Sequence, residues 1–180
     1  MALVNETPSS ILVLRAAYLS LSGGVVLLDQ VTKAMVSRKI PLHTSIPVIP
    51  GLFDLTHVQN TGAAFGLFAS MESPLKGILL SAVALLVLLG VLGYAWTSSP
   101  RWARLQLGLA SILGGAVGNL IDRLSAGSVT DFLDFYVGTH RWPAFNVADS
   151  AITVGVLLLA LDLWRRPGEA PASERPAEAQ

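Results

Sequence analysis

Four long apolar stretches divide the chain, and segments of mixed composition connect them. Residues 78–96 and 105–121 carry no charged side chain. At about 1.5 Å rise per residue, such a run crosses a hydrocarbon core of about 30 Å as an α-helix. Residues 11–36 and 146–164 are also mostly apolar, with a few charged side chains near their ends. The pattern predicts four transmembrane helices, over about 11–36, 76–97, 103–122 and 147–165.

The first span is too long for a signal peptide and ends in DQVTK rather than in small residues, so we expect it to be retained. Four spans place both termini on one side, and the density of basic residues in the short connecting segments favours a cytoplasmic location for them. We therefore interpret residues 1–166 as a single membrane domain. Residues 167–180 are rich in Pro, Ala and Glu, which predicts a disordered cytoplasmic tail.

The two outer segments, about 38–74 and 123–146, differ in pattern. In the first, the runs SIPVI and LFDLTHV flank Pro50 and Gly51, which predicts a small hairpin on the outer membrane surface. The second mixes acids with the aromatic residues typical of a membrane interface. The predicted fold is a membrane all-α bundle of four transmembrane helices with a small extracytoplasmic β element. This β element is expected to form a cradle, and a short outer loop or helix is expected beside it.

Composition supports this class and excludes several chemistries. Of 180 residues, 52% are hydrophobic and 13% are charged, whereas soluble domains are about a quarter charged. The formal net charge is zero, so nothing indicates nucleic-acid binding. The absence of cysteine excludes disulfides, thiolate catalysis and cysteine metal sites. Three isolated histidines offer no zinc cluster, and no G-x-S-x-G or phosphate-loop motif occurs.

Acidic residues are concentrated toward the outer face of the predicted bundle. Ionisable side chains at membrane depth are costly and usually mark a functional site. Asp162 has a simpler explanation, because Arg165 and Arg166 follow it at ion-pairing distance along a helix. The outer acids are Asp29, Asp54, Glu72, Asp122, Asp131, Asp134 and Asp149.

Several polar clusters have ordinary structural explanations as well as functional ones. Asn119 shares a helix face with Asp122 and Arg123, which is also what a helix end with a snorkelling arginine would show. Asp29 and Lys33 form an i, i+4 pair that is structural or supports a site. Gly114 and Gly118 have the G-x-x-x-G spacing that packs helices together.

Asn146 and Asp149 have the spacing of a helix-capping box, which alone explains an acid at the start of the fourth span. Capping does not explain why a second acid, Asp131 or Asp134, reaches the same face. Two converging carboxylates share one proton and can polarise a water between them for attack. The pattern therefore indicates aspartic-protease chemistry, with the identity of the second acid left open.

Five motifs carry a resemblance to a known family. DQVTK (29–33), QNTGAAFG (59–66), GNLIDR (118–123), VTDF (129–132) and FNVADS (145–150) resemble the ordered motif set of lipoprotein signal peptidase, also called signal peptidase II. All five occur in the family's order and in the same places relative to the four spans.

The resemblance implies a bacterial inner-membrane aspartyl endopeptidase without a metal or cofactor. Such an enzyme removes signal peptides from diacylglyceryl-modified prolipoproteins, cutting just before the lipidated cysteine, near the extracytoplasmic face. It implies that Asp131 and Asp149 are the catalytic pair, and that Asp29 and Lys33 support the site. Inhibition by globomycin-type cyclic peptides is also implied, with substrate entering between helices. The resemblance further matches these residues to positions that line or support the site: Asn60, Gly62, Asn119, Asp122, Arg123, Asn146 and Ala148.

Two other classes of protein would also place acids in a membrane. A small proton-coupled transporter needs membrane carboxylates, but at the bilayer midplane and beside broken helices, which the second and third spans lack. A non-catalytic scaffold would need neither acid. The Tyr-Asp and Gly-x-Gly-Asp patterns of presenilin-like proteases are absent.

Overall fold

The computed structural model describes residues 8–62 and 75–164. Four helices and four strands occur in these ranges, and the helices begin and end close to the predicted bounds. The elements in chain order are α1 (Pro8–Lys39), β1 (Ser45–Ile49), β2 (Phe53–Asn60), α2 (Lys76–Thr97), α3 (Ala103–Ala126), β3 (Val129–Val137), β4 (His140–Arg141) and α4 (Val147–Trp164).

The four helices are each long and apolar enough to cross a membrane, which confirms the predicted bundle. α3 lies at its centre and packs against the other three helices. α2 is apolar over most of its circumference and has no buried residue, so much of its surface is available to lipid. α3 contains smaller and more polar residues, because neighbouring helices rather than lipid cover most of its surface.

Glycines allow the helices to approach closely at α3. A Cβ at Gly155 of α4 would lie 2.6 Å from the carbonyl oxygen of Gly108. A Cβ at Gly114 would lie 2.7 Å from the carbonyl oxygen of Ser22 on α1, and one at Gly118 would lie 2.6 Å from the Asp29 carboxylate. These distances are too short for any side chain, so the packing role predicted for Gly114 and Gly118 is confirmed.

The outer segments together form one antiparallel sheet in the order β1-β2-β3-β4. The predicted hairpin is present as β1 and β2, and Gly51 adopts a φ of +83° in its turn. The second outer segment contains more strand than its composition indicated. Residues 129–137, VTDFLDFYV, are β-branched or aromatic at most positions and pair with β2.

α1 is longer than a hydrocarbon core requires, because 32 residues extend for about 48 Å. Its end reaches the sheet, where Val36 and Ile40 pack with Phe132 of β3 in a small buried cluster. This contact fixes β3 over the ends of α3 and α4. The polar residues at those helix ends therefore face the underside of the sheet.

Candidate active site

Asp131 and Asp149 reach a common hydrogen-bond network from different elements. Asp131 lies on β3 and is only 3% exposed, whereas Asp149 lies in the first turn of α4 and is half-buried. Both carboxylates hydrogen-bond to Asn146 directly before α4. The Asn146 side chain donates to Asp131 Oδ1 at 2.8 Å, and its backbone N–H donates to Asp149 Oδ2 at 3.3 Å. Asn146 therefore links the two acids.

The capping box predicted at this helix start is present. The Asn146 side-chain oxygen accepts the Asp149 backbone N–H at 2.9 Å, while the Asp149 carboxylate accepts the Asn146 backbone N–H. Asn146 is completely buried, so its side chain has no alternative partner in solvent. Capping and the link to Asp131 are thus functions of the same asparagine.

Two more asparagines complete the hydrogen bonding of the carboxylates. Asn60 Nδ2 donates to Asp131 Oδ2 at 3.0 Å, and Asn119 Nδ2 donates to Asp149 Oδ1 at 2.8 Å. The Asn60 side-chain oxygen accepts the Gly62 backbone N–H at 2.8 Å, which fixes the orientation of that amide. All four carboxylate oxygens therefore accept hydrogen bonds from neutral amides.

Within the described residues, no basic side chain lies within 4 Å of either carboxylate. Burial raises the pKa of Asp131 to about 7, and the nearby Asp149 carboxylate acts in the same direction. Hydrogen bonds from Asn60 and Asn146, together with the charge of Lys33, oppose this rise in pKa. Asp131 can consequently gain or lose a proton near neutral pH, as acid–base chemistry requires.

A second pair of acids lies beside the first and is organised around a cation. Lys33 Nζ lies 2.8 Å from Asp29 Oδ2 and 2.9 Å from Asp122 Oδ2, and it donates to Asn119 Oδ1 at 3.0 Å. All four side chains are buried. Of the ordinary and functional explanations for Asp29 and Lys33, the geometry favours support of the neighbouring carboxylates, because Asn119 contacts both Lys33 and Asp149.

The cation-centred pair also positions the backbone next to the candidate dyad. Asp29 Oδ1 accepts the Ala148 N–H at 2.9 Å, one residue before Asp149. Asp122 Oδ2 accepts the Thr130 N–H at 3.1 Å, one residue before Asp131. Ala148 is therefore in the site through its backbone, while its fully buried methyl group packs against α3.

The sequence did not indicate a role for Gln30, although it lies within the motif DQVTK. Its side chain donates to Asp122 Oδ1 at 2.9 Å and to the Gly118 carbonyl at 3.2 Å, joining α1 to α3. The available signal was its spacing, because residues 30 and 33 lie on one helix face. Gln30 therefore belongs with Lys33 and Asp122.

Arg123 and Gly62 lie at the edge of the network. The Arg123 guanidinium makes long contacts of 3.5 Å to the carbonyl oxygens of Asn119 and Gly62. Its contact with Gly62 joins the end of α3 to the segment that follows β2. The rest of the NTGAAFG motif, residues 63–66, lies outside the described residues, as does the partner predicted for Asp162.

Asp134, the alternative second acid, lies elsewhere on the sheet. Its carboxylate forms an ion pair with Arg141, which also pairs with Asp54 at 3.3 Å. Residues three apart on a strand point to opposite faces, so β3 directs Asp131 and Asp134 to different surroundings. In the described ranges, no cluster of three acidic or histidine side chains could hold a metal ion.

The arrangement of these motifs matches a known family. The family model described as Signal peptidase (SPase) II matches residues 21–165, most of the chain. The chain belongs to the signal peptidase II family. This confirms the resemblance seen in the five motifs and identifies the protein as a peptidase.

Curated relatives and solved structures agree with this assignment. The chain is 51% identical over 134 residues to the lipoprotein signal peptidase of Desulforapulum autotrophicum, covering 74% of this chain and 83% of that protein. It is 42% identical over 152 residues to the lipoprotein signal peptidase of Syntrophus aciditrophicus, covering 84% and 94%. A solved bacterial membrane enzyme matches with a TM-score of 0.75 and 28% identity, covering 92% and 95%. This signal peptidase II family member is accordingly a multi-pass membrane protein.

Proposed function

We propose that this protein is an aspartic endopeptidase of the bacterial inner membrane that removes signal peptides from diacylglyceryl-modified prolipoproteins. It cuts just before the lipidated cysteine, using Asp131 and Asp149. The observation that carries the proposal is the pair of carboxylates, delivered by β3 and α4, linked through Asn146 and held only by amides. Carboxylates that accept hydrogen bonds from neutral amides and form no direct ion pair are able to exchange a proton with substrate and water.

The proposed reaction needs one proton shared by the two acids. The ionised carboxylate takes a proton from water, whose oxygen attacks the scissile carbonyl carbon, while the protonated carboxyl donates to the carbonyl oxygen. In the second step, the carboxyl that took the proton from water gives it to the leaving amine nitrogen as the C–N bond breaks, and the other carboxylate takes back a proton from a hydroxyl of the intermediate as the carbonyl re-forms. The dyad returns to its starting state with one proton, and the proposed cycle calls on no metal or cofactor.

The surrounding residues have distinct proposed functions. Asn60, Asn119 and Asn146 orient the carboxylate oxygens, and Asp29, Lys33 and Asp122 fix the backbone on which the two acids are carried. Arg123 and Gly62 lie where they can contact the substrate backbone. Because the site lies at the ends of α3 and α4, the acyl chains of the substrate can remain in the bilayer while its peptide enters between helices. Globomycin-type cyclic peptides would inhibit by occupying the same space.

Both termini are proposed to be cytoplasmic, which places the sheet and the dyad at the extracytoplasmic face. Addition of a reporter that is active on only one side of the membrane, fused after the described end of α4, tests this orientation. Activity of a cytoplasmic reporter is the expected result. Activity of an extracytoplasmic reporter would show that the orientation is the reverse of the proposed one. The site would then lie on the wrong side of the membrane for a lipoprotein precursor.

A gel-shift cleavage assay in detergent tests the proposed activity. The substrates are a diacylglyceryl-modified prolipoprotein and the same precursor without the lipid. We expect the wild-type protein to cleave only the lipidated precursor. Mass spectrometry of the product should show the lipidated cysteine at its new N-terminus. Cleavage of both precursors, or a cut at another position, would contradict the proposed specificity, and no cleavage by folded protein would contradict the activity.

A further inference from the structure

A crevice of about 560 Å³ lies between α1, α2 and α3, at the opposite end of the bundle from the dyad. Arg15 at this crevice and Asp29 at the site are fourteen residues apart on α1, or about 21 Å along the helix. The crevice volume is within the range of about 300–1,000 Å³ typical of small-molecule sites. It is therefore large enough for a ligand and separate from the proposed catalytic centre.

The interior of the crevice has an apolar surface. Leu19, Leu89, Leu92 and Leu113 line it, and α2 contributes Gly93. The polar side chains that also reach its wall are occupied by backbone carbonyls. Ser22 donates to Ala110, Tyr18 donates to Pro100, and Gln106 donates to Ala95. With these donors occupied, the lining matches a hydrocarbon chain better than a polar ligand.

Among the described residues that line the crevice, Arg15 is the one that carries a formal charge. Its guanidinium lies 4.4 Å from the Trp96 ring centroid and donates to the Trp96 carbonyl at 2.7 Å, which holds it at the crevice. Within the described residues it forms no ion pair. A half-buried cation beside lipid is stabilised by an anion, and a guanidinium matches the geometry of phosphate.

We propose that this crevice binds a glycerophospholipid of the surrounding leaflet, with an acyl chain between the helices and its phosphate on Arg15. Two observations favour a lipid over other occupants. The crevice borders α2, whose exposed surface is predominantly apolar and suits contact with the bilayer. The same end of the bundle carries the exposed basic residues Arg101 and Arg104, which favour an anionic headgroup.

Photo-crosslinking in a sugar-based detergent tests the proposal. The probe is phosphatidylglycerol with a diazirine on one acyl chain, and mass spectrometry maps the labelled residues. We expect the label to concentrate on crevice residues of α1, α2 and α3. Unlabelled phosphatidylglycerol should compete for the site, whereas diacylglycerol, which has no phosphate, should compete poorly. Equal labelling of all lipid-facing surfaces would overturn the proposal.

The glycines of α2 provide a matched pair of variants. Gly93 lines the crevice and Gly90 does not, yet a Cβ at either position meets nothing within 4 Å. Gly93→Phe should fill the crevice and abolish most of the labelling, while Gly90→Phe should leave it unchanged. Thermal unfolding of both variants shows whether they fold. Equal labelling of the two variants would mean that the probe does not enter the crevice.

Substitution of Arg15 tests recognition of the phosphate. Arg15→Gln should weaken competition by phosphatidylglycerol about tenfold, the effect of losing a hydrogen bond to a charged group. Arg15→Lys keeps the positive charge, so phosphatidylglycerol should compete with this variant almost as well as with the wild-type protein. If a synthetic signal peptide removes the label and phosphatidylglycerol does not, the crevice is a peptide-binding site and the lipid proposal is wrong.

Discussion

Two pairs of buried acids lie side by side in this molecule, and they differ in what surrounds them. Asp29 and Asp122 both contact Lys33, whose ammonium group lies within 3 Å of each carboxylate. Asp131 and Asp149 accept hydrogen bonds from three asparagines and have no basic side chain within 4 Å in the described ranges. One pair thus shares an ion-paired cation, whereas the other accepts hydrogen bonds from amides only.

In the proposed mechanism, this difference separates aspartates that hold the structure from aspartates that transfer protons. A carboxylate that is ion-paired and bonded to backbone N–H groups has its oxygens occupied, and it holds the chain in place. A buried carboxylate that has only neutral donors keeps its proton more readily, as the raised pKa of Asp131 indicates. The cation-centred pair holds the Ala148 and Thr130 N–H groups, and so positions the backbone that carries the proposed catalytic pair.

The largest expected effect comes from changing the amide-held pair. Asp131→Asn or Asp149→Asn should each lower kcat by a factor of about 10²–10⁴, because each removes a proton-transfer group. The double variant should be little worse than either single variant, since the two acids act as a unit. Initial rates of prolipoprotein cleavage measure all three.

Asp134→Asn is the matched control for these variants. Asp134 lies on the same strand and is also buried, but it pairs with Arg141. We expect its substitution to leave most of the peptidase activity intact. Equal loss of activity in Asp134→Asn and Asp131→Asn would show that β3 tolerates no change of charge at either position. The loss in Asp131→Asn would then be no evidence for a special role of the amide-held pair.

Removing the cation should chiefly affect stability. Lys33→Met leaves Asp29 and Asp122 buried without a counter-charge, so the free energy of unfolding should fall by about 3–5 kcal/mol. Thermal unfolding followed by tryptophan fluorescence measures the loss. Adding Asp29→Asn to Lys33→Met should restore part of it, because one uncompensated charge is removed.

Lys39→Met provides the reference for this effect. Lys39 is on the same helix but exposed, and its substitution should change the free energy of unfolding by less than about 0.5 kcal/mol. If Lys33→Met unfolds at the same temperature as Lys39→Met, the cation does not stabilise the acid pair.

A substitution at the α3–α4 contact, which lies between the two pairs of acids, should disturb the geometry of both pairs. Gly115 of α3 contacts the Ala148 carbonyl so closely that a Cβ would overlap it. Gly115→Ala should therefore push back the start of α4, which carries both the Ala148 N–H bonded to Asp29 and the Asp149 carboxylate. We expect a loss of about 1–3 kcal/mol in unfolding free energy, with reduced kcat. Gly90→Ala, where a Cβ meets nothing within 4 Å, should change neither measurement.

The smallest expected effect is a change in pH dependence. Below about pH 7, Asp131 holds its proton and the dyad has an acid; above it, both carboxylates ionise and cleavage slows. Asn60 stabilises the ionised form of Asp131, so Asn60→Ala should raise the pKa and move the alkaline limb of kcat to higher pH. Profiles normalised to their plateaus measure the shift.

Gln59→Ala separates this effect from general damage to β2. Gln59 bonds to Thr130 and Ser128 rather than to a carboxylate. Its substitution should leave the limb in place. Two outcomes would contradict the proposed protonation of Asp131: an alkaline limb that moves to lower pH in Asn60→Ala, or one that moves by the same amount in both variants.

Hydropathy was sufficient to predict the four helices and the first hairpin, because bilayer thickness and turn chemistry act on local sequence. The strand β3 was harder, since its acids at positions 131 and 134 interrupt the apolar pattern. Without that strand, spacing could not distinguish Asp131 from Asp134. The alternation of faces along β3 is the physical information that was missing, and the motif resemblance supplied the choice instead.

Long-range partners were the other limit of sequence reasoning. The Asp29–Lys33 pair is local and could be predicted, but the bonds of Lys33 to Asp122 and Asn119 join positions more than eighty residues apart. Gln30 was missed for the same reason, because its partners lie on α3. Local patterns predict which side chains share a face, but only packing of α1 on α3 determines what they meet.

The position of Asp149 in α4, after the three other described helices, affects how the protein is made. Bonds to Asn119, Asp131 and Asp29 all cross to the segment around the start of α4. During translation, the three earlier helices can enter the bilayer while this network is still open. The ribosome must release α4 before the second acid can join the first. Under the proposed mechanism, a growing chain therefore cannot cleave substrate until α4 has left the ribosome, and assembly of the dyad itself sets the moment at which the proposed proteolysis begins.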